Sequence, residues 1–202
     1  MVTGASSGIG EALARECAVQ GANVVLGARS LQKLQLIVGD IRSKGGEATY
    51  CAVDVTKPEE CRNLIDTAVG EYGGLDVLIC NAGLSMRALF DDVDLEVLHR
   101  LMDVNFWGTV YCTKYALPYL QASHGSLVGI SSVAGLHGLP GRTGYSASKY
   151  AMTGFLETVR IGRRFEPGRD TARRGEDDDA RTGRPYRYSG NRKAQTPLPD
   201  GG

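Results

Sequence analysis

The stretch VTGASSGIGEALARECA, residues 2–18, constrains the fold most tightly. Glycines at Gly4, Gly8 and Gly10 crowd the junction between a short apolar run and an amphipathic one. Three glycines so placed meet three needs: a sharp turn, close approach of the backbone to a bulky anion, and tight packing of the following helix on a sheet. The start of that helix presents free N–H groups and the positive end of its dipole, a setting that suits a pyrophosphate. An ordinary tight turn is the alternative; the position ahead of a helix and a second strand favours the nucleotide. A buried strand of about five residues should precede such a turn. Only Met1, Val2 and Thr3 stand before Gly4, so the first strand is expected to be clipped.

Strand-like and helix-like runs then alternate as far as Ile161. NVVLGA (23–28), ATYCAV (48–53), LDVLIC (75–80) and SLVGIS (126–131) are short and apolar, as buried parallel strands are. Amphipathic stretches at about 8–20, 30–44, 57–72 and 93–122 separate them. Right-handed crossovers between such strands give an α/β fold, a Rossmann-type doubly wound parallel sheet. Phe106, Trp107 and Tyr111 are expected in its core.

The composition changes abruptly after Gly162. Residues 162–202 contain no Val, Ile or Met, and Leu198 is their one leucine. Such a stretch cannot offset its ordering entropy by burial and is expected to be disordered. The chain thus reads as a domain over 1–161, incomplete at both ends, and a tail over 162–202 whose sudden onset resembles a reading-frame shift; a genuine fusion is the alternative.

Charge excludes some partners. The tail carries ten Lys+Arg against seven Asp+Glu, and the front thirteen against sixteen. A mildly acidic front gives no reason to expect nucleic acid or a membrane surface. No apolar run approaches the ~20 residues of a membrane span. Cys17, Cys51, Cys61, Cys80 and Cys112 are scattered without a CxxC pair, and His99, His124 and His137 are equally dispersed. No metal is expected, and buried reduced thiols in a cytoplasmic protein are the plain reading.

Tyr145 and Lys149 stand four apart on an expected helix and so share a face. A free phenol titrates near pH ~10 and is a poor base at neutrality. A nearby ammonium, helped by a cationic ligand, favours phenolate by an amount of the right order. A pair alone would read as helix surface. Here Ser132 lies thirteen residues before the tyrosine, just past the strand at 126–131, and the carboxyl end of a parallel strand is where such sheets place ligands. Arg29, in GARS after the second strand, stands where an acid would bond a ribose 2′-hydroxyl. It either meets a 2′-phosphate or is a solvated surface arginine. Asp54, in VDVT, is placed to cap the helix that begins at KPEE.

TGxxxGxG at 3–10, NAG at 81–83, Ser132 and YxxxK at 145–149 together resemble the short-chain dehydrogenase/reductase family over residues 1 to about 161. MVTGASSGIG, LGARS and YSASKYAMTGF are similar to its keto-reducing, NADPH-using branch. The resemblance implies an oxidoreductase moving a hydride between NADP(H), with NAD(H) as the lesser choice, and a small ketone or secondary alcohol. It implies cofactor contacts at Gly4, Ser6, Ser7, Gly8, Ile9, Gly10, Arg29, Asp54, Val55, Asn81, Ala82 and Gly83. Asp54 would hold the adenine, and Asn81, Ala82 and Gly83 would chiefly support the sheet. Tyr145 would exchange the proton, Lys149 would assist it and bond the nicotinamide ribose, Ser132 would orient the carbonyl, and Asn105 would hold a relay water. Members are commonly homo-oligomers. The family's sixth strand, substrate lid and seventh strand have no counterpart here: Pro167 and Gly168 follow Lys149 too closely, after GRRFE. An impaired enzyme is therefore expected. The alternative is a non-catalytic dinucleotide-binding module or an inactive truncated product.

Overall fold

The computed structural model describes residues 1–162; the expected disordered tail lies outside the described residues. Five strands, β1 (Val2–Thr3), β2 (Val24–Ala28), β3 (Ala48–Ala52), β4 (Val77–Cys80) and β5 (Ser126–Gly129), form one sheet in the order β3-β2-β1-β4-β5. Every pair is parallel. Helices α1 (Gly8–Val19), α2 (Leu31–Ser43), α3 (Pro58–Tyr72), α4 (Leu95–Met102), α5 (Gly108–Ala122) and α6 (Thr143–Gly162) complete the doubly wound α/β fold.

Period-two alternation along the strands divides the core into two. Val2, Val24, Leu26 and Ile79 pack with Ala14 and Ala18 of α1 and Leu34, Ile37 and Ile41 of α2. Met1, Val25, Leu78 and Cys80 face the other way, toward Leu64 and Ile65 of α3 and Cys112, Ala116 and Leu120 of α5. Gly27 lies beneath Leu64, where a Cβ would meet the leucine at 2.7 Å. β1 is short but its pairing begins earlier, since Ile79 N–H donates to the Met1 carbonyl at 2.9 Å.

Three expectations need correction. The helix read over 93–122 is α4, a π-helical turn at Asp103–Trp107, and α5. The strand read over 126–131 stops at Gly129, although Ile130 N–H still reaches the Cys80 carbonyl at 2.9 Å. Trp107 is not core: it is 43% exposed. It stacks on Tyr111 at 5.8 Å, and Phe106 packs edge-on to Trp107 at 5.2 Å and Phe155 at 6.1 Å. Phe106 and Tyr111 are half-buried, and Tyr111 packs against the core on the α3–α5 side, so Trp107 alone of the three turns outward. Cys61, Cys80 and Cys112 are buried, whereas Cys17 and Cys51 are half-buried, and all five are free thiols.

Candidate active site

The glycine turn is built by interlocking two loops at the carboxyl ends of β1 and β4. Gly4 adopts φ +65°, and a Cβ there would meet Ala82 Cα at 2.7 Å. Gly10, in the first turn of α1, lies against the Gly4 carbonyl and the Asn81 side chain too closely for any Cβ. Thr3 ties the loops together: its hydroxyl accepts from Asn81 N–H at 3.0 Å and Ala82 N–H at 3.1 Å. Asn81 returns the bond, with Nδ2 donating to the Thr3 carbonyl at 3.0 Å. Ser7, the extended residue before α1, leaves its hydroxyl out of any cap bond, so the helix start is not closed by its own side chain.

These loops enclose a cavity of ≈ 530 Å³. Of the expected cofactor residues, Gly4, Ser6, Ser7, Ile9, Arg29, Asp54, Val55, Asn81, Ala82 and Gly83 line it. Gly8 and Gly10 do not line it: Gly8 is exposed and bends the chain with φ +58°, and Gly10 is buried against Gly4 and Asn81. A wider space of ≈ 760 Å³ opens at the amino ends of the strands, between Ala22–Val25 and Leu75–Val77. The smaller cavity is the better candidate despite its size, because parallel strands direct their crossover loops and helix N-termini to the carboxyl side. Ser30, Lys33, Leu84 and Val104 also line it and were not singled out from sequence. Lys33, on the first turn of α2, joins Arg29 at the cavity because the turn at Ser30 starts the helix beside the end of β2.

Asp54 faces the cavity from the end of β3. Its Oδ1 accepts from Thr56 N–H at 3.0 Å and Thr56 Oγ1 at 2.9 Å. Burial pushes this carboxyl upward, but the two Thr56 bonds, with Arg29 and Lys57 nearby, hold it below the usual range. One oxygen serves the turn and Oδ2 makes no bond among the described residues.

The catalytic candidates lie past β5. Tyr145 is half-buried on the first turn of α6, with Lys149 Nζ 5.9 Å and the Arg142 guanidinium 5.8 Å from its ring centre. Lys149 is 4% exposed, and its ammonium donates to the Ile130 carbonyl at 2.7 Å. Burial lowers its pKa, with Cys80 opposing. That opposition is weak, because burial pushes Cys80 up to about 12 and keeps it a neutral thiol. Ser131 and Ser132 separate clearly. Ser131 shares a bond with Thr153 of α6 at 3.0 Å. Ser132 Oγ accepts from Ala134 N–H at 3.1 Å and retains its own proton to donate.

Asn105 is fully buried in the π turn, a distortion that often marks functional sites. Its Oδ1 accepts from Leu84 N–H at 2.7 Å, and Nδ2 donates to the Leu84 carbonyl at 2.9 Å and to Ser148 Oγ at 2.8 Å. With both amide hydrogens engaged, a water held by Asn105 would sit on its backbone carbonyl, which also accepts from Thr109 Oγ1 at 3.0 Å. Among the described residues no cluster of His, Cys, Asp or Glu is suited to a metal ion.

Residues 1–162 match the family model for short chain dehydrogenases. The chain is 41% identical over 163 residues to the 11-beta-hydroxysteroid dehydrogenase 1A of Arabidopsis thaliana, covering 80% of this chain and 47% of that protein. It is 44% identical over 162 residues to the 11-beta-hydroxysteroid dehydrogenase A of Arachis hypogaea, covering 79% and 46%. The chain thus spans about half the length of the curated relatives it matches. An alcohol dehydrogenase from the archaeon Thermococcus sibiricus, complexed with 5-hydroxy-NADP, superposes with a TM-score of 0.79 at 31% identity, over 81% of this chain and 70% of that one. A short chain dehydrogenase/reductase of Burkholderia phymatum in complex with NAD gives 0.78 at 28% identity, over 81% and 59%.

Proposed function

The chain belongs to the short-chain dehydrogenase/reductase family, and we propose that it is the NADP(H)-dependent kind, interconverting a ketone and a secondary alcohol. The observation that carries this reading is the placement of Tyr145 and buried Lys149 on one face of α6, beside the carboxyl end of β5 and the loops of the glycine turn. The fit to a dinucleotide is physical: Gly4 and Gly10 leave no room for a Cβ, and the cavity runs from the start of α1 to Arg29 and Asp54. When bound, the nicotinamide supplies or accepts the hydride.

The residues of this chain bind, orient and move the proton. Ser6, Ser7 and the N–H groups that open α1 meet the pyrophosphate. Arg29 and Lys33 favour a 2′-phosphate over a bare ribose. The free oxygen of Asp54 takes the adenine amine. Ser132 donates a hydrogen bond from its hydroxyl to the substrate carbonyl oxygen, keeping its own proton, and holds that oxygen facing Tyr145. The Tyr145 hydroxyl gives its proton to that oxygen in reduction and takes it back in oxidation. Lys149, with its ammonium out of bulk water, favours the phenolate left behind. The five free thiols support a cytoplasmic setting. The hydroxysteroid dehydrogenases among its relatives make a ketosteroid the first substrate to try.

One observation favours a second reading, a dinucleotide-binding module with weak or no turnover. Among the described residues β5 has a neighbour on one side alone, so its other edge, next to the substrate side, is unpaired. Purified full chain titrated with NADPH and NADH, then assayed for NADPH oxidation with an 11-ketosteroid, separates the readings. Binding with turnover supports the enzyme, binding without turnover the module, and no binding overturns both.

A further inference from the structure

We propose that Ser148 is a positioning residue for Tyr145 and Lys149, acting through the buried side chain of Asn105. Its kinetic consequence rests on the oxidoreductase reading above; its geometry does not. Asn105 and Ser148 are both 0% exposed. They belong to different elements, the π turn before α5 and the body of α6, and meet across 43 residues of chain.

A side-chain amide offers two N–H donors and one oxygen acceptor. Asn105 spends its oxygen and one hydrogen on the two backbone groups of Leu84. This fixes its orientation, since a flipped amide would set N–H against N–H and oxygen against oxygen. The remaining hydrogen points at Ser148 Oγ, 2.8 Å away. The serine hydroxyl accepts there and donates onward to the Tyr145 carbonyl at 2.8 Å. The outcome is one continuous path of bonds from Leu84, in the cofactor cavity wall, to the backbone of Tyr145. Each bond polarises the next in such a chain.

Serine is suited to this position because one small atom must accept and donate at once. Alanine would leave the last Asn105 N–H unpaired in a site without solvent. The amide would keep its orientation through Leu84 but lose its tie to α6, weakening its hold on Leu84 on one side and on the first turn of α6 on the other. Lys149 is the next residue in the chain, and its bond to Ile130 depends on where that turn sits. Ser148 touches neither cofactor nor substrate in this scheme; it fixes the height of the proton-transferring pair above the cavity.

The test uses Ser148→Ala, Asn105→Ala and the double variant in the full chain. In Ser148→Ala, hydrogen exchange at the Leu84 amide should quicken on the order of tenfold, as expected for one weakened buried bond. The Val24 and Val53 amides, bonded within the β2–β3 half, should be unchanged. With NADPH and an 11-ketosteroid, kcat should fall on the order of tenfold while KM for NADPH stays within about twofold. The double variant should be no slower than Asn105→Ala alone, because the two residues act on one path. Unchanged Leu84 exchange, acceleration spread evenly over the sheet, or additive losses would overturn the proposal. Should the wild-type chain bind NADPH but show no turnover, the enzyme reading fails, and Leu84 exchange with the double-variant cycle on that exchange still decides the role of Ser148.

Discussion

β2 and β5 begin from similar apolar sequences and end in different circumstances. β2 is buried at all five positions and paired on both sides, with β1 and β3. β5 alternates between exposed and half-buried positions and pairs with β4 alone among the described residues. The β1–β2–β3 half of the sheet is therefore held by close packing. The β5 end is held by side-chain bonds between elements: Lys149 to Ile130, Ser131 to Thr153, Asn105 to Leu84 and Ser148.

That contrast can be broken most sharply at the chemistry. Tyr145→Phe should cut ketone reduction on the order of 10³-fold, within the range for losing a general acid, while NADPH affinity stays within about twofold. Stopped turnover with intact fluorescence titration of NADPH would show binding and chemistry to be separable; near-normal turnover would place the proton donor elsewhere. Next in size is the core. Leu26→Ala, at a fully buried site of β2, should cost about 2–5 kcal/mol in urea unfolding. Leu127→Ala on half-buried β5 should cost less than half as much. Equal losses would mean that β5 is as deeply held as β2.

Arg29→Asp sharpens the cofactor end. Exchanging a cation for an anion near a 2′-phosphate should weaken NADPH relative to NADH by about tenfold or more, the value of one charged hydrogen bond. Calorimetric titration of both nucleotides checks it, and equal wild-type affinities would remove Arg29 from the argument. The smallest effect concerns pH. Lys149 titrates in the folded chain below its ordinary 10.5, so between those two values the unfolded chain binds more protons. Its contribution to stability should therefore rise with pH across that window. For Asp54, held low, the contribution is complete above the ordinary 3.8 and lost as pH falls through the folded value. Urea midpoints from pH 7 to 10 should climb less steeply in Lys149→Met than in wild type.

Strand existence and order of elements were legible because the apolar runs are compact and the glycine turn fixes one junction. The boundaries of α1, α2 and α3 also follow from sequence, for Gly21, Gly45 and Gly73 close them with positive φ. The lining of the cavity at the carboxyl ends of the strands was mostly readable, because a motif such as GASSGIG places neighbouring residues on one loop. Lys33 and Leu84 escaped, since their approach to the cavity depends on how separate loops converge. The π turn had no local signal: DVNFW carries no proline or glycine within it. Ser148 escaped for the same reason as Lys33, its partners lying on another element and at a carbonyl one turn back. Trp107 misled because an aromatic side chain is as compatible with an exposed position as with a core.

The central place of β1 has a kinetic consequence. Its neighbours are distant in very different degrees: Val2 pairs with Leu26 on one side and Ile79 on the other. Loop-closure entropy grows with the logarithm of the intervening length, so β1 meets β2 early and must wait for β4. Until α2, β3 and α3 are made, one edge of the most buried strand stays open in the growing chain. Non-local pairing of this kind slows folding and lengthens exposure to other chains. The half of the sheet that is best packed once formed is thus assembled around a strand that is closed late. A Thr3→Val substitution, which keeps the shape but removes the hydroxyl joining β1 to the loop after β4, should act mainly on that closing step and slow refolding more than it speeds unfolding.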